Sequence, residues 1–173
     1  MSIILIKKSL LSKKQQIYRV LDANLNRLRE ALRVVEEYFR FIDERPAVCR
    51  RLKKLRHALI GMEGALGRGE LLENRDTAGD CFADRNRPEE LKRPSGLSAL
   101  LAANFKRGQE ACRVIEEYAK VIGEAGKAGK AGFHPLRPLS GKAKTARFAL
   151  YAFEKELFGG KREKRTQKRR RRT

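Results

Sequence analysis

The sequence predicts an all-α protein, a duplicated helical hairpin packed as a pseudo-twofold helical bundle, on three observations. Residues 21–42, LDANLNRLREALRVVEEYFRFI, return at a shift of 80 as LAANFKRGQEACRVIEEYAKVI at 101–122, with 12 of 22 positions identical. A weaker echo follows each copy: LKKLRHALIGMEGAL at 52–66 aligns at a shift of 91 with AKTARFALYAFEKEL at 143–157, sharing Arg56/Arg147, Leu59/Leu150, Glu63/Glu154 and Leu66/Leu157 among others. Apolar residues recur with helical spacing in both copies, and no stretch alternates with period two for long enough to make a strand. Two units fall short of the roughly three that a solenoid needs for a continuous core, so the copies are expected to pack on each other.

The first helix is expected from about 12 or 15 to 42, since Leu21, Leu25, Leu28, Leu32, Val35 and Phe39 make one apolar stripe. Pro46 opens the second, which runs to Gly64 or Gly67. Residues 68–96 hold Gly69, the run RDTAGD at 75–80, Pro88 and Pro94, and read as one long connection. A connection of that length in a compact domain is usually functional or disordered. Ser95 or Ser98 caps the third helix, which ends near Gly123. The stretch 123–141, rich in Gly, Ala and Lys, reads as a flexible linker before a last helix at about 142–158, stopped by Gly159 and Gly160. The domain plan is an N-terminal extension at 1–15, a helical domain at 16–158 with copies at about 18–67 and 97–158, and a disordered basic tail at 159–173.

With 173 residues and 41% hydrophobic content, the chain can bury one ordinary core. Its net charge of +20 is uneven: residues 161–173 carry nine Lys or Arg against one Glu, a net +8, and the remainder carries +12. A tail of that kind either binds RNA or another polyanion by counterion release or is a solvated appendage. Cys49, Cys81 and Cys112 are odd in number, far apart and form no C-x-x-C pair, which fits reduced cytoplasmic thiols. Cys112 stands where the first copy has Leu32, as a small core residue. The apolar start at 3–6 is broken by Lys7 and Lys8, too short for a signal-peptide core or a membrane span. The expected protein is cytoplasmic with no membrane partner, and the sequence leaves room for a homo-oligomer.

On a helical wheel at about 100° per residue, Asn24, Arg27, Glu30, Ala31, Val34, Glu37 and Tyr38 fall beside the core stripe, and all seven recur in the second copy. Arg33, Glu36 and their copies read as ordinary helix-surface pairs, worth a few tenths of a kcal/mol each. That explanation suits Asn24 and Asn104 poorly, because Asn inside a helix lowers propensity and offers no charge pair. An Asn and an Arg one turn apart on two related helices suggest a shared polar cleft. The run Arg75-Asp76-Thr77-Ala78-Gly79-Asp80 has two readings: oxygen ligands for Mg2+ with an arginine to brace a phosphate, or a turn with Gly79 at positive φ and Asp side chains bonded to backbone N–H groups. His57 is matched by Phe148 in the second copy and reads as helix surface or core margin.

YRVLDANLNRLREALRVVEEYFRF, LRHAL, RDTAGD, ANFKRGQEACRVIEEYAK and ARFALYAFEKEL, in that order, closely resemble the hydroxymethylpyrimidine-phosphate kinase family of thiamine biosynthesis. That family is a small helical domain found free or fused ahead of thiamine-phosphate synthase. The resemblance covers roughly 18–122 and 142–157 and stops before the basic tail. It implies transfer of a phosphoryl group from ATP to 4-amino-5-hydroxymethyl-2-methylpyrimidine phosphate, giving the diphosphate that the synthase consumes. No G-x-x-x-x-G-K-[ST] run is present, so the ATP site is not a P-loop. For such a reaction the expected catalytic residues are Arg27, Arg107, Glu30 and Glu110, and the expected substrate-binding residues are Asn24, Asn104, Arg75 and Thr77. Asp76 and Asp80 are the expected Mg2+ ligands. The small-molecule partners are the pyrimidine phosphate and ATP.

Overall fold

The computed structural model describes residues 13–81, 96–125 and 137–159. Among these the protein is all α, with α1 Lys13–Phe41, α2 Pro46–Leu66, α3 Arg68–Glu73, α4 Leu97–Ala125 and α5 Arg137–Glu154, which passes into a π-helical turn at Lys155–Gly159. The basic tail, most of the Gly/Ala/Lys linker and Ser95 lie outside the described residues. No helix among the described residues is long and apolar enough to cross a membrane.

Two antiparallel hairpins, α1 with α2 and α4 with α5, meet chiefly through α1 and α4. Every member of the expected α1 stripe, from Leu21 to Phe39, is buried, and so are its counterparts Leu101, Phe105, Cys112, Ile115 and Ala119 on α4. Burial of each large aliphatic side chain contributes about 1.5–3 kcal/mol. The second helices answer in the same register: Leu52, Leu59 and Leu66 on α2 are buried like Ala143, Leu150 and Leu157.

Polar contacts repeat as well. Glu36 accepts a hydrogen bond from Arg56 Nε at 2.9 Å, and Glu116 accepts one from Arg147 Nη2 at 2.8 Å. Arg29 pairs with Glu63, and its counterpart Gln109 donates to Glu154 at 2.6 Å. The sequence shifts of 80 and 91 make these the same two contacts in each hairpin. Symmetry breaks at Gly108, the counterpart of Leu28. A Cβ there would lie 3.1 Å from Leu150 Cδ1 and 3.5 Å from Leu28 Cδ1, so the missing side chain sets how closely α1 and α4 approach.

Three boundaries differ from the sequence reading. Residues 68–73 form the short helix α3 inside the expected connection, because Leu71 packs into the core while Gly67, at φ +82°, ends α2 with its N–H on Glu63 O. Helix α5 starts five residues earlier than expected, at 137 instead of 142, since Pro138 in a first turn forfeits no hydrogen bond and Leu139 is buried. Gly96, at φ +122°, precedes α4, which continues to Ala125, past the expected end at Gly123, and Ser98 lies inside the helix.

Candidate functional site: a cleft shared by the two hairpins

Residues three, four and seven apart lie along one helix face. On α1 this brings Asn24, Arg27, Ala31 and Val34 into line, with Glu30 beside them, and the same five recur on α4 as Asn104, Arg107, Ala111, Val114 and Glu110. All ten line one cleft of about 740 Å3 between the two helices. Its apolar part is small: Ala31 and Ala111 are buried, and Val34 and Val114 are half-buried.

The two asparagines lie deep, at 5% and 4% exposure. Each donates its amide to the carbonyl one turn back on its own helix, Asn24 to Val20 O and Asn104 to Leu100 O, both at 2.8 Å. Turning either amide over would set its oxygen against that carbonyl, so the donor assignment is fixed by the backbone. Neither carboxamide oxygen has a donor among the described residues. A buried acceptor without a partner costs about 1–3 kcal/mol, so each of these oxygens calls for an N–H or O–H donor.

Charge in the cleft is likewise unspent. Arg27, Glu30, Arg107 and Glu110 are exposed and form no ion pair among the described residues, even though each Arg stands three residues before a Glu. Elsewhere on the same helices the charges are matched: Arg33 with Glu37 at 2.6 Å, Arg113 with Glu117 at 2.8 Å, and Lys120 with Glu117 at 2.8 Å. Arg33, Glu36 and their copies are thus structural pairs. Burial alone would raise the Glu116 carboxyl, but the hydrogen bond and charge of Arg147, then those of Lys120, outweigh it and hold the group below its ordinary value.

The RDTAGD loop lies away from this cleft. Arg75 grips Asp22 with two hydrogen bonds of 2.7 Å, from Nε and from Nη2, and this pairing raises the guanidinium above its ordinary pKa. The pair lines a separate hollow of about 340 Å3 with Asn26, Arg29, Glu63 and Arg68. Asp76 accepts the Gly79 N–H at 2.7 Å, lies 3.4 Å from Arg19 Nη1, and its backbone carbonyl takes Arg19 Nη2 at 2.7 Å. Gly79 is needed for space: its φ is not in the left-handed region, but a Cβ would collide with the Asp76 carboxylate. Thr77 and Asp80 are exposed.

The structure therefore gathers Asn24, Arg27, Glu30 and their three copies, and places Arg75, Asp76, Thr77 and Asp80 elsewhere. With its carboxylate committed to Arg19 and a backbone N–H, Asp76 has little capacity left for Mg2+. No group of three or more His, Cys, Asp or Glu side chains converges among the described residues. Mg2+ is commonly held by one or two carboxylates plus substrate phosphates, and the unpaired Glu30 and Glu110 meet that description better. Asp22 and Arg19, which anchor the loop, were missed in the sequence. The available signal was a carboxylate at the edge of the apolar stripe, since a buried charge requires a partner.

Among protein families, the ThiD2 family matches residues 19–156. The chain is 37% identical over 153 residues to the thiamine-phosphate synthase of Nostoc sp. (strain PCC 7120), covering 86% of this chain and 37% of that protein. It is 40% identical over 146 residues to the thiamine-phosphate synthase of Thermosynechococcus vestitus, covering 84% and 36%. The chain thus spans a little over a third of the length of these relatives. No solved structure matches it.

Proposed function

The chain belongs to the ThiD2 family, and from that premise we propose that it acts in thiamine biosynthesis as a phosphotransferase, converting 4-amino-5-hydroxymethyl-2-methylpyrimidine phosphate to the diphosphate with ATP. The observation that carries this reading is the twin set in the cleft: two unpaired arginines and two buried, unsatisfied carboxamide oxygens. A phosphate oxygen of the pyrimidine phosphate attacks Pγ of ATP, the new O–P bond forms as the bond from Pγ to the bridging oxygen breaks, and ADP leaves with that electron pair. Nucleophile and electrophile are both anionic, so the step needs positioning and charge neutralisation more than a base.

Two arginines facing one cleft from opposite hairpins suit that demand, one for each phosphate-bearing reactant, since a guanidinium meets phosphate oxygens bidentately. The Asn24 and Asn104 oxygens accept N–H groups, and the exocyclic amine of the pyrimidine is a donor of that kind. Mg2+ bound with ATP would neutralise phosphate charge, and Glu30 and Glu110 are the residues of the cleft that would hold it. Arg75, gripped by Asp22, anchors the loop that presents Thr77.

The test is an assay of the full chain with ATP, Mg2+ and the pyrimidine monophosphate. Formation of ADP and the pyrimidine diphosphate in equal amounts is expected. A folded protein that produces neither overturns the reading.

A further inference from the structure

The hollow where α1 turns into α2 carries a charge that the cleft does not explain. It measures about 600 Å3 and is walled by Arg33, Arg40, Arg45, Arg50, Lys53 and Arg56 against two carboxylates, Glu36 and Glu44. Glu36 is already matched by Arg56 at 2.9 Å and Arg33 at 3.9 Å, and Arg45 turns to Asp43 at 3.7 Å. Arg40, Arg50 and Lys53 have no carboxylate partner among the described residues. Like charges around one hollow repel, by about 1 kcal/mol for a pair at 4 Å even in water. Fold stability therefore gives no reason for the arrangement.

Part of its wall is fixed. Phe39 is buried at the base, the Arg45 guanidinium lies 5.7 Å from the centre of that ring, and Arg56 is fixed by Glu36. The repeat accounts for part of the wall, since Arg33, Arg40, Lys53 and Arg56 answer to Arg113, Lys120, Lys144 and Arg147, but Phe39, Cys49 and Arg50 answer to Ala119, Ser140 and Gly141. It lies on the first hairpin, on a different face of α1 from the cleft.

We propose that this hollow is a second anion site, separate from the cleft, that takes an oligophosphate. Six cations face Glu36 and Glu44, and Glu37 and Asp43 take Arg33 and Arg45 from beside the hollow, which leaves a net +2 centred on Arg40, Arg50 and Lys53 to meet an anion. The volume lies within the range of about 300–1,000 Å3 for small-molecule sites, and five of the six cations are guanidiniums, suited to paired phosphate oxygens. A free inorganic oligophosphate and the triphosphate of a nucleotide present the same chemistry. The proposal uses no part of the catalytic reading and fails or stands without it.

Calorimetric titration of the full chain with inorganic tripolyphosphate, and separately with ATP, tests the site. Saturable one-to-one binding of tripolyphosphate is expected, weakened at least tenfold in R50A/K53A and unchanged in the charge-matched control K106A/K155A, two exposed lysines outside both the hollow and the cleft. Arg50 and Lys53 are exposed, so the first variant keeps its fold. A parallel loss of ATP affinity in R50A/K53A identifies a nucleotide ligand, and a loss confined to tripolyphosphate identifies a free oligophosphate; both support the site. No saturable binding of tripolyphosphate overturns it, as does tripolyphosphate binding that R50A/K53A spares. Equal weakening in R50A/K53A and in the control overturns it as well, since binding then follows net charge and not the hollow. A short RNA that binds more tightly than both anions with the same dependence on Arg50 and Lys53 overturns the ligand class.

Discussion

Glu116 on α4 and Arg147 on α5 form a hydrogen-bonded ion pair in which one carboxylate oxygen takes both Nε, at 3.2 Å, and Nη2, at 2.8 Å. The carboxylate is 4% exposed, and the Arg147 guanidinium also lies 5.8 Å from the centre of the Tyr151 ring. Glu116 titrates lower in the folded chain than in the unfolded one. Its contribution is therefore full above the ordinary carboxyl value of 4.5 and is lost as pH falls through the depressed folded value. Replacing Glu116 by Gln should lower stability at neutral pH by about 1–3 kcal/mol and flatten the acid side of the stability curve. Urea unfolding measured from pH 3 to 7 checks this, and an unchanged acid limb would refute it.

Arg27 and Arg107 are expected to share the phosphate charge in the proposed reaction. Replacing either by Ala should cut kcat/KM by about 10²-fold or more, through roughly 3 kcal/mol of lost transition-state stabilisation. Lys should restore only part, for want of the bidentate geometry. Since neither residue makes an ion pair within the described residues, folding should be untouched. Normal kinetics in both alanine variants would move the site out of the cleft.

Asp22 and Arg75 join residues far apart in sequence, and the buried partner is the acid. Arg75→Ala leaves that carboxylate without its main partner and should destabilise by about 1–3 kcal/mol, less any screening from the exposed side of the guanidinium. Asp22→Asn should be milder. A double-mutant cycle read by urea unfolding should show coupling between the two, and additive effects would mean that the loop is held by other contacts.

Much of this was legible in sequence and some of it was not. Apolar spacing located the buried stripe of α1, and comparing the copies isolated the cleft residues, because Asn24, Arg27 and Glu30 recur where a mere surface has no reason to repeat itself. The same comparison discarded Asp22, whose counterpart is Ala102, and Arg19, whose counterpart is Ala99. Their partners lie in a loop with no second copy, so neither periodicity nor repetition marks them. The start of α5 was hidden because RPLSG reads as linker, while the burial of Leu139 that draws it into the helix is a tertiary effect. Flanking glycines concealed α3 in the same way.

Gly108 fills the space between Leu28 and Leu150 by leaving it to them. Gly108→Leu, which would make the two copies alike, should destabilise by about 1–3 kcal/mol through overpacking, even though Leu is the better helix former. A thermal melt below that of the parent chain is the expected result. An equal or higher melting temperature would show that α1 and α4 can move apart freely.

Removal of residues 161–173 withdraws a net +8. Nucleic-acid affinity and its salt dependence should fall sharply wherever they exist, while phosphotransfer in the cleft should persist. Loss of turnover in a folded truncation would place the tail in the reaction.

The contact between Leu28 and the Gly108 backbone also bears on what joining the two hairpins in one polypeptide makes possible. At the centre of a true homodimer a side chain meets its own double, so any enlargement happens twice in one place and any reduction leaves a double void. In a single chain the facing positions mutate independently, and one can grow into the room that the other vacates. A large residue opposite none at all is a solution closed to two identical subunits. The same freedom lets one hairpin carry the Asp22 anchor while the other has Ala102 in its place, without disturbing the paired residues of the cleft.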